Sequence, residues 1–191
     1  MMTITSRATR HQGRAASIAL LLTGTVATAA AAAAGAAAAA EPAEPARSAA
    51  GSCAPGQVSV SASATAADDN IVAVHVTNRS GVTCAVDRFP TVTFGDLDGT
   101  ARPVPAGDSA PYRLAPGETA HAAVRTAPDM DSDGTEVVQH VTVAASPAHD
   151  GSRFTACEVG LGDPGIYVYD PITTWWHPAY QQAAQSLREH A

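Results

Sequence analysis

An acidic run in the second half of the chain copies part of a known chemical motif. Asp129, Asp131 and Asp133 occupy every other position, and a glycine follows the last of them. Calcium-binding loops begin in this way, because spaced carboxylates and a glycine let the backbone curl around a hard cation. The twelfth position of such a loop needs a bidentate glutamate, whereas this chain has His140 there. We therefore expect a solvated acidic hairpin tip, with weak calcium binding as the alternative, and we assign no metal ion and no cofactor.

Histidine is the second residue type that could do chemistry. Beyond residue 40 the histidines stand at positions 75, 121, 140, 149, 177 and 190. None has the HExxH pattern, or a spacing of two histidines and a carboxylate, that would fix a metal ion. His75, His121 and His140 fall on predicted strands and could converge, but we expect separate surface or core histidines. The chain also lacks a Gly-x-Ser-x-Gly elbow and a glycine-rich phosphate loop, so no catalytic residue is assigned.

Aromatic side chains are concentrated in one short stretch. Five of the nine aromatics lie between residues 167 and 180, and these candidate binding residues are Tyr167, Tyr169, Trp175, Trp176 and Tyr180. If exposed, they would form a stacking surface for a glycan or a hot-spot patch for a protein partner. An alanine-rich core is short of volume, so we expect burial instead. In that arrangement the first two tyrosines cover a sheet face and one tryptophan anchors a C-terminal helix.

Charge and the N-terminal segment limit the class of protein. The 191 residues carry 18 acids against 11 arginines and no lysine, for a net charge of −7, which excludes a nucleic-acid binder. Three arginines without an acid precede an alanine-rich apolar run that continues to residue 40. This pattern predicts a signal peptide over 1–40, with a retained N-terminal anchor as the alternative. The Pro/Ala-rich residues 41–52 form a linker. We expect a secreted or envelope-associated protein with no membrane span after processing.

Valine-rich alternation predicts an all-β fold for the segment that must position these residues. Beyond residue 40 there are 16 valines, 4 leucines and 3 isoleucines, an excess that favours pleated sheets. Residues 58–65 alternate as a half-buried strand, and 71–77 are apolar on both sides, as in a central strand. Further strands are predicted at 82–86, 92–94, 119–125, 136–144, 153–159 and 165–169. Prolines between 101 and 111 imply an edge or a loop there.

The spacing of these strands gives the architecture. Seven to eight short strands at about ten-residue intervals predict an antiparallel β-sandwich over 53–170. The remaining segment, 171–191, contains the aromatic residues and then a short helix from Ala179 to His190, begun by Pro178.

A series of short motifs resembles one known family. Residues 76–86 read Val-Thr-Asn-Arg-Ser-Gly-Val-Thr-Cys-Ala-Val, Phe89-Pro90 and Val92-Thr93-Phe94 follow, and 114–120 read Leu-Ala-Pro-Gly-Glu-Thr-Ala. The secreted actinobacterial family called domain of unknown function 4232 is similar in the order and spacing of these motifs, over about residues 53–125. The resemblance implies an immunoglobulin-like sandwich in an exported, often envelope-associated protein, with no catalytic residues.

Three cysteines lie beyond the leader, so at most one intramolecular disulfide can form. Members of the similar family usually carry four, which pair first with second and third with fourth, and the third is absent here. The resemblance therefore implies a disulfide between Cys53 and Cys84, which would stabilise the fold by roughly 3–4 kcal/mol. We expect Cys157 to be a buried small hydrophobic residue rather than a reactive or intermolecular thiol.

These observations predict an exported, non-enzymatic β-sandwich module that binds a partner or has a structural role at the cell envelope or in the medium. The sequence does not identify the partner: an envelope glycan and an envelope protein both stay open, and no nucleic acid is expected. The alternative is a secreted metal-dependent or hydrolytic enzyme acting on envelope polymers. That enzyme would be built from His121, His140 and the carboxylates at 129–133, which would have to meet at contact distance.

Overall fold

The computed structural model describes residues 50–66, 68–129 and 133–191. The predicted signal peptide and most of the linker lie outside the described residues. Within them the chain forms twelve strands and two helices. The strands are β1 Val58–Thr65, β2 Asp68–Asn78, β3 Cys84–Val86, β4 Thr91–Phe94, β5 Arg102–Val104, β6 Tyr112–Leu114, β7 Thr119–Arg125, β8 Glu136–Val138, β9 His140–Ala144, β10 Ser152–Thr155, β11 Ile166–Val168 and β12 Ile172–Thr174, and the helices are α1 Ala156–Val159 and α2 Tyr180–His190.

The largest sheet has five strands in the order β1-β2-β7-β12-β5. Its pairs are antiparallel except for β12 and β5, which run parallel at one edge. Alternation places the valines of β2, Val72, Val74 and Val76, in the core, while Ile71 and Ala73 face the opposite side. The predicted central strand is thus confirmed, and so is the half-buried β1.

A second layer covers the valine side of this sheet. It consists of the three-stranded sheet β10-β9-β4 and the two-stranded ribbons β11-β8 and β3-β6. Buried residues from both layers form one apolar cluster, which includes Phe94, Leu114, Val143, Ile166 and Trp176. The structure confirms the predicted all-β sandwich with a short C-terminal helix. It has more strands than expected because several of the elements are only three residues long.

The segment 153–159 differs from the predicted strand. Strand β10 ends at Thr155, where a capping box begins α1: the Thr155 hydroxyl accepts the Glu158 backbone N–H (3.2 Å), and the Glu158 carboxylate accepts the Thr155 N–H (2.8 Å). The backbone N–H of Thr155 and then its hydroxyl (2.9 Å) donate to the Glu158 carboxylate, and these two hydrogen bonds hold the pKa of Glu158 below its ordinary value. Cys157 therefore lies on a helix and is exposed, so the expectation of a buried cysteine is wrong.

The last strand was not anticipated, because Pro171 indicated the end of a strand. Ile172–Thr174 instead pairs with both β7 and β5, and Thr173 and Thr174 are completely buried. The predicted C-terminal helix is confirmed as α2. Ala183 and Leu187 of this helix pack on the outer side of the five-stranded sheet, against Ala123, Val104 and Ile172.

The predicted disulfide is present. It joins Cys53 and Cys84, whose Cα atoms are 4.8 Å apart, and both residues are buried in the main core. The bond ties the segment before β1 to β3. Among the described residues, none of the helices has the length and apolar character needed to cross a membrane.

Candidate functional site

The five aromatic residues of the C-terminal stretch do not form one surface. Trp176 has 0% of its surface exposed and belongs to the main core. Tyr180 is half-buried at the start of α2, where it packs against the smaller cluster under that helix, and burial raises its pKa. The expectation that a tryptophan anchors the helix is wrong, because Ala183, Leu187 and Tyr180 do so.

Trp175 is half-buried beneath a cation. The guanidinium carbon of Arg88 lies 4.9 Å from the centre of the Trp175 ring and 5.6 Å from the centre of the Tyr112 ring. The backbone N–H of Trp176 also donates to the backbone carbonyl of Arg88 (2.9 Å), which holds the two segments together. Stacking on Arg88 occupies the face of Trp175. The two tryptophans therefore do not form an open platform for a ligand.

The β8–β11 ribbon has apolar residues on both of its sides, one of which faces outward. Val137 pairs directly with Tyr167, so the two side chains share one side of the ribbon. Tyr167 is half-buried, whereas Val137 is 43% exposed and Tyr169, just past the end of β11, is 41% exposed. The other side of the ribbon, with Val138, Ile166 and Val168, faces the core.

Two adjoining grooves lie beside this ribbon, each with a volume of about 340 Å³. The first groove is lined by Leu97, Asp98 and Tyr169, among others, and the second by Leu97, Asp96 and Val137. Leu97 borders both and is itself 36% exposed. We call Leu97, Val137 and Tyr169 the apolar ridge. The described residues contain four exposed large apolar side chains, and three of them form this ridge.

A tight turn positions Leu97. Gly95 has a φ of +51°, and a Cβ atom there would lie 2.9 Å from the Cβ atom of Val138, so only glycine fits. The Gly95 N–H donates to the carbonyl of His140 (2.9 Å), and the Leu97 N–H donates to the carbonyl of Phe94 (3.0 Å). The turn therefore lies close against β8 and directs Leu97 to the surface.

Carboxylates surround the ridge. Asp98 and Asp170 line the first groove and Asp96 lines the second, while no arginine lines either. Arg102 forms an ion pair with Asp170, at 3.2 Å between Nη2 and Oδ2, and both side chains are well exposed. The surface is thus apolar along its ridge and acidic at its margin.

The acidic run that copies half of a calcium loop is described only at its two ends. Asp129 and Asp133 are exposed, and Asp131 falls outside the described residues. Gly134 contributes to the lining of the first groove. Among the residues that the structure describes, no group of three or more histidine, cysteine, aspartate or glutamate side chains is arranged to hold a metal ion.

The sequence analysis predicts separate histidines, but two of them are in contact. His75 on β2 and His121 on β7 are directly paired in register, with 2.7 Å between their Nδ1 atoms and ring centres 4.7 Å apart. His140 lies on β9 in the other layer, where it accepts a hydrogen bond from Arg153. His177 pairs with His121 through two backbone hydrogen bonds of 2.8 Å. The expectation is therefore wrong for the first pair.

The sequence did not indicate the apolar ridge. Val137 belonged to a longer predicted strand, 136–144, which the structure divides at Gln139. Leu97 lies within residues 95–99, whose glycines and aspartates are typical of a turn. A usable signal was nevertheless present, because a leucine at the tip of a Gly-Asp-Leu-Asp-Gly turn has no neighbour in sequence that could bury it.

The fold and the surface together define a small disulfide-linked β-sandwich domain with an apolar ridge beside two grooves. A family model described as Domain of unknown function (DUF4232) matches residues 53–176, which is more than half of the chain. The chain belongs to this family. No curated protein and no solved structure matches the chain.

Proposed function

We propose that this protein is an exported, non-enzymatic binding module of the cell envelope or the medium, and that it binds a polypeptide partner along the apolar ridge. The observation that carries the proposal is the grouping of Leu97, Val137 and Tyr169 at the borders of two grooves. Single exposed apolar residues are common on protein surfaces, but contiguous ones are typical of interaction sites.

The shape of the surface supports a binding role. Each groove is large enough to take an apolar side chain of a partner, and Leu97 lines both of them. Binding energy at such sites is concentrated in a few anchors, of which tyrosine is among the most frequent. Tyr169 and its aliphatic neighbours provide this kind of centre.

Charge and side-chain type favour a polypeptide over a glycan. Asp96 and Asp98 are acidic groups at the margin, and the whole chain has a net charge of −7, so a cationic partner is attracted. A sugar ring is best received by flat aromatic faces, whereas two of the three ridge residues are aliphatic. A segment that combines leucine-like side chains with arginine or lysine matches both features.

The enzymatic alternative requires His121 and His140 in one site. These residues belong to different sheets and have different partners, His75 for the first and Arg153 for the second. A proton relay or a shared metal ion needs contact between its members. This separation supports the non-enzymatic proposal.

The test uses the purified full-length protein and a fluorescent nine-residue probe in which leucine and arginine alternate. Fluorescence anisotropy should report saturable binding that weakens as salt is added, because the acidic margin is exposed. In Leu97→Ser and Tyr169→Ser, the Kd should rise by about tenfold or more, since hot-spot residues contribute roughly 2 kcal/mol or more.

Val82 provides the matched control, because it is the fourth exposed apolar residue, at 59%, and lines neither groove. Val82→Ser should leave the Kd unchanged. An oligosaccharide of N-acetylglucosamine serves as the glycan probe in the same assay. The proposal is wrong if Leu97→Ser and Tyr169→Ser bind the peptide like the original protein, or if the glycan binds at the ridge and the peptide does not.

A further inference from the structure

The outer side of the five-stranded sheet carries a row of polar residues that the proposed function does not use. In register across β1, β2 and β7, Ser61 lies opposite His75, and His75 lies opposite His121. His121 in turn pairs with His177. Residues directly opposite on neighbouring strands point to the same side of a sheet, so one row holds a serine and three histidines.

The two central histidines are in direct contact. Their Nδ1 atoms are 2.7 Å apart, and the rings meet edge to face at 79°. A contact this short between two imidazole nitrogens requires one to carry a proton and the other to present its lone pair. The pair is half-buried and is flanked by a hydrogen bond of 2.8 Å between the hydroxyls of Thr77 and Thr119.

Burial favours the neutral form of both imidazoles. Burial lowers the pKa of His75, and the nearby His121 lowers it further. Burial also lowers the pKa of His121. Neutral imidazole is the form that binds metal ions.

The separation of the two nitrogens distinguishes between coordination geometries. Two adjacent nitrogens of a square-planar or tetragonal ion, each about 2.0 Å from the metal, lie about 2.8 Å apart. The corresponding separation in a tetrahedral zinc site is about 3.3 Å. The 2.7 Å of the hydrogen-bonded pair is closer to the first value than to the second. Strands β2 and β7 hold the pair at this spacing, because both histidines lie within a continuous ladder.

We propose that His75 and His121 form a two-nitrogen binding site for a tetragonal divalent ion, copper(II) above all, with water in the remaining positions. Both rings rotate from the observed hydrogen-bonded arrangement, so that their Nδ1 lone pairs turn from the line joining the two atoms to one point. The proton shared by the pair moves to the Nε2 atom of its own ring through solvent, so binding releases no net proton. Among divalent ions of the first transition row, copper binds imidazole most tightly, and the acidic chain attracts cations.

The test is a titration of the purified full-length protein with copper sulfate, followed by electron paramagnetic resonance. We expect a tetragonal signal with splitting from two nitrogens. In His75→Asn and His121→Asn, the Kd for copper should rise at least about tenfold, because even residues that only support a metal ligand are worth 10–100-fold. His140→Asn is the matched control, since His140 is also a half-buried strand histidine, and it should bind copper like the original protein.

A second measurement needs no variant and therefore does not depend on folding. In the nuclear magnetic resonance spectrum of the original protein, a substoichiometric amount of copper should broaden the imidazole signals of His75 and His121 first. The proposal is overturned if His140, His149 or His190 broadens first, or if either asparagine variant keeps the original copper affinity and the two-nitrogen signal. It is independent of peptide binding, because neither histidine lines the grooves.

Discussion

Tyr169 and Trp176 are only seven residues apart in sequence, but one lies at the surface and the other in the core. Trp176 lies in the core with none of its surface exposed, while Tyr169 is 41% exposed at the border of a groove. Between them, β12 enters the five-stranded sheet and carries the chain from the surface into the interior. Aromatic residues that are concentrated in one stretch of the sequence therefore do not form one functional unit. Each residue must be assigned from the element on which it lies.

The largest effect should come from Trp176. Trp176→Ala should lower the free energy of unfolding by roughly 3–5 kcal/mol, because it removes the largest fully buried side chain and leaves a cavity. Urea unfolding followed by circular dichroism measures this loss. Trp176→Phe is the control and should cost less, because phenylalanine keeps an aromatic ring in the core. It also removes the buried indole Nε1, which lacks a hydrogen-bond partner in the described structure. A cost below about 1 kcal/mol for the alanine variant would contradict the core assignment.

A smaller loss is expected at the turn that supports the ridge. Gly95→Ala should cost about 1–3 kcal/mol, because alanine is strained at a positive φ and its Cβ would contact Val138. It should also weaken peptide binding by displacing Leu97. Gly117→Ala separates the two causes, since Gly117 also has a positive φ, +74°, but lines neither groove, and a Cβ there would meet nothing within 4 Å. Equal losses of stability and binding in both variants would show that the contact with Val138 is unimportant.

The stack of Arg88 on Trp175 should contribute about 1 kcal/mol beyond the packing of each residue alone. A double-mutant cycle with Arg88→Gln and Trp175→Leu, measured by urea unfolding, gives this coupling energy directly. A coupling energy near zero would mean that Trp175 is half-buried for packing alone. In that case its ring would be more accessible to a ligand than the stack suggests.

Tyr169 should give the smallest change in stability. Tyr169→Ser should alter the free energy of unfolding by no more than about 0.5 kcal/mol, as is usual for exposed positions. Measured beside Trp176→Ala in the same urea series, it sharpens the contrast between the two aromatics. A loss above about 2 kcal/mol would indicate that Tyr169 supports the fold, and any decrease in binding would then need another explanation.

The alternation of apolar and polar residues in the sequence predicted the longer strands of the fold. The alternating valines and alanines of β1, β2 and β7 indicated these strands, because a half-buried or central strand imposes its own period on the sequence. Helix α1 was missed although Thr155 and Glu158 are a complete capping box. The box begins only four residues of helix, which is too short to disturb the apolar pattern of the preceding strand.

The sites depended on pairings that no local pattern contains. His75 and His121 meet because β2 and β7 pair in one particular register, and a shift of one residue would turn one of the histidines to the core. The apolar ridge similarly combines a turn after β4 with a ribbon built from β8 and β11. Sequence analysis therefore identified Tyr169 as a candidate but not the residues that accompany it.

The position of β12 also has a consequence for the order of folding. This strand lies between β7 and β5, and Trp176 follows it directly into the interior. A polypeptide that has emerged from the ribosome only as far as β11 has a gap in its main sheet and lacks the bulkiest component of its interior. Because such distant pairings form late, the nascent domain stays incomplete until residues beyond 170 become available.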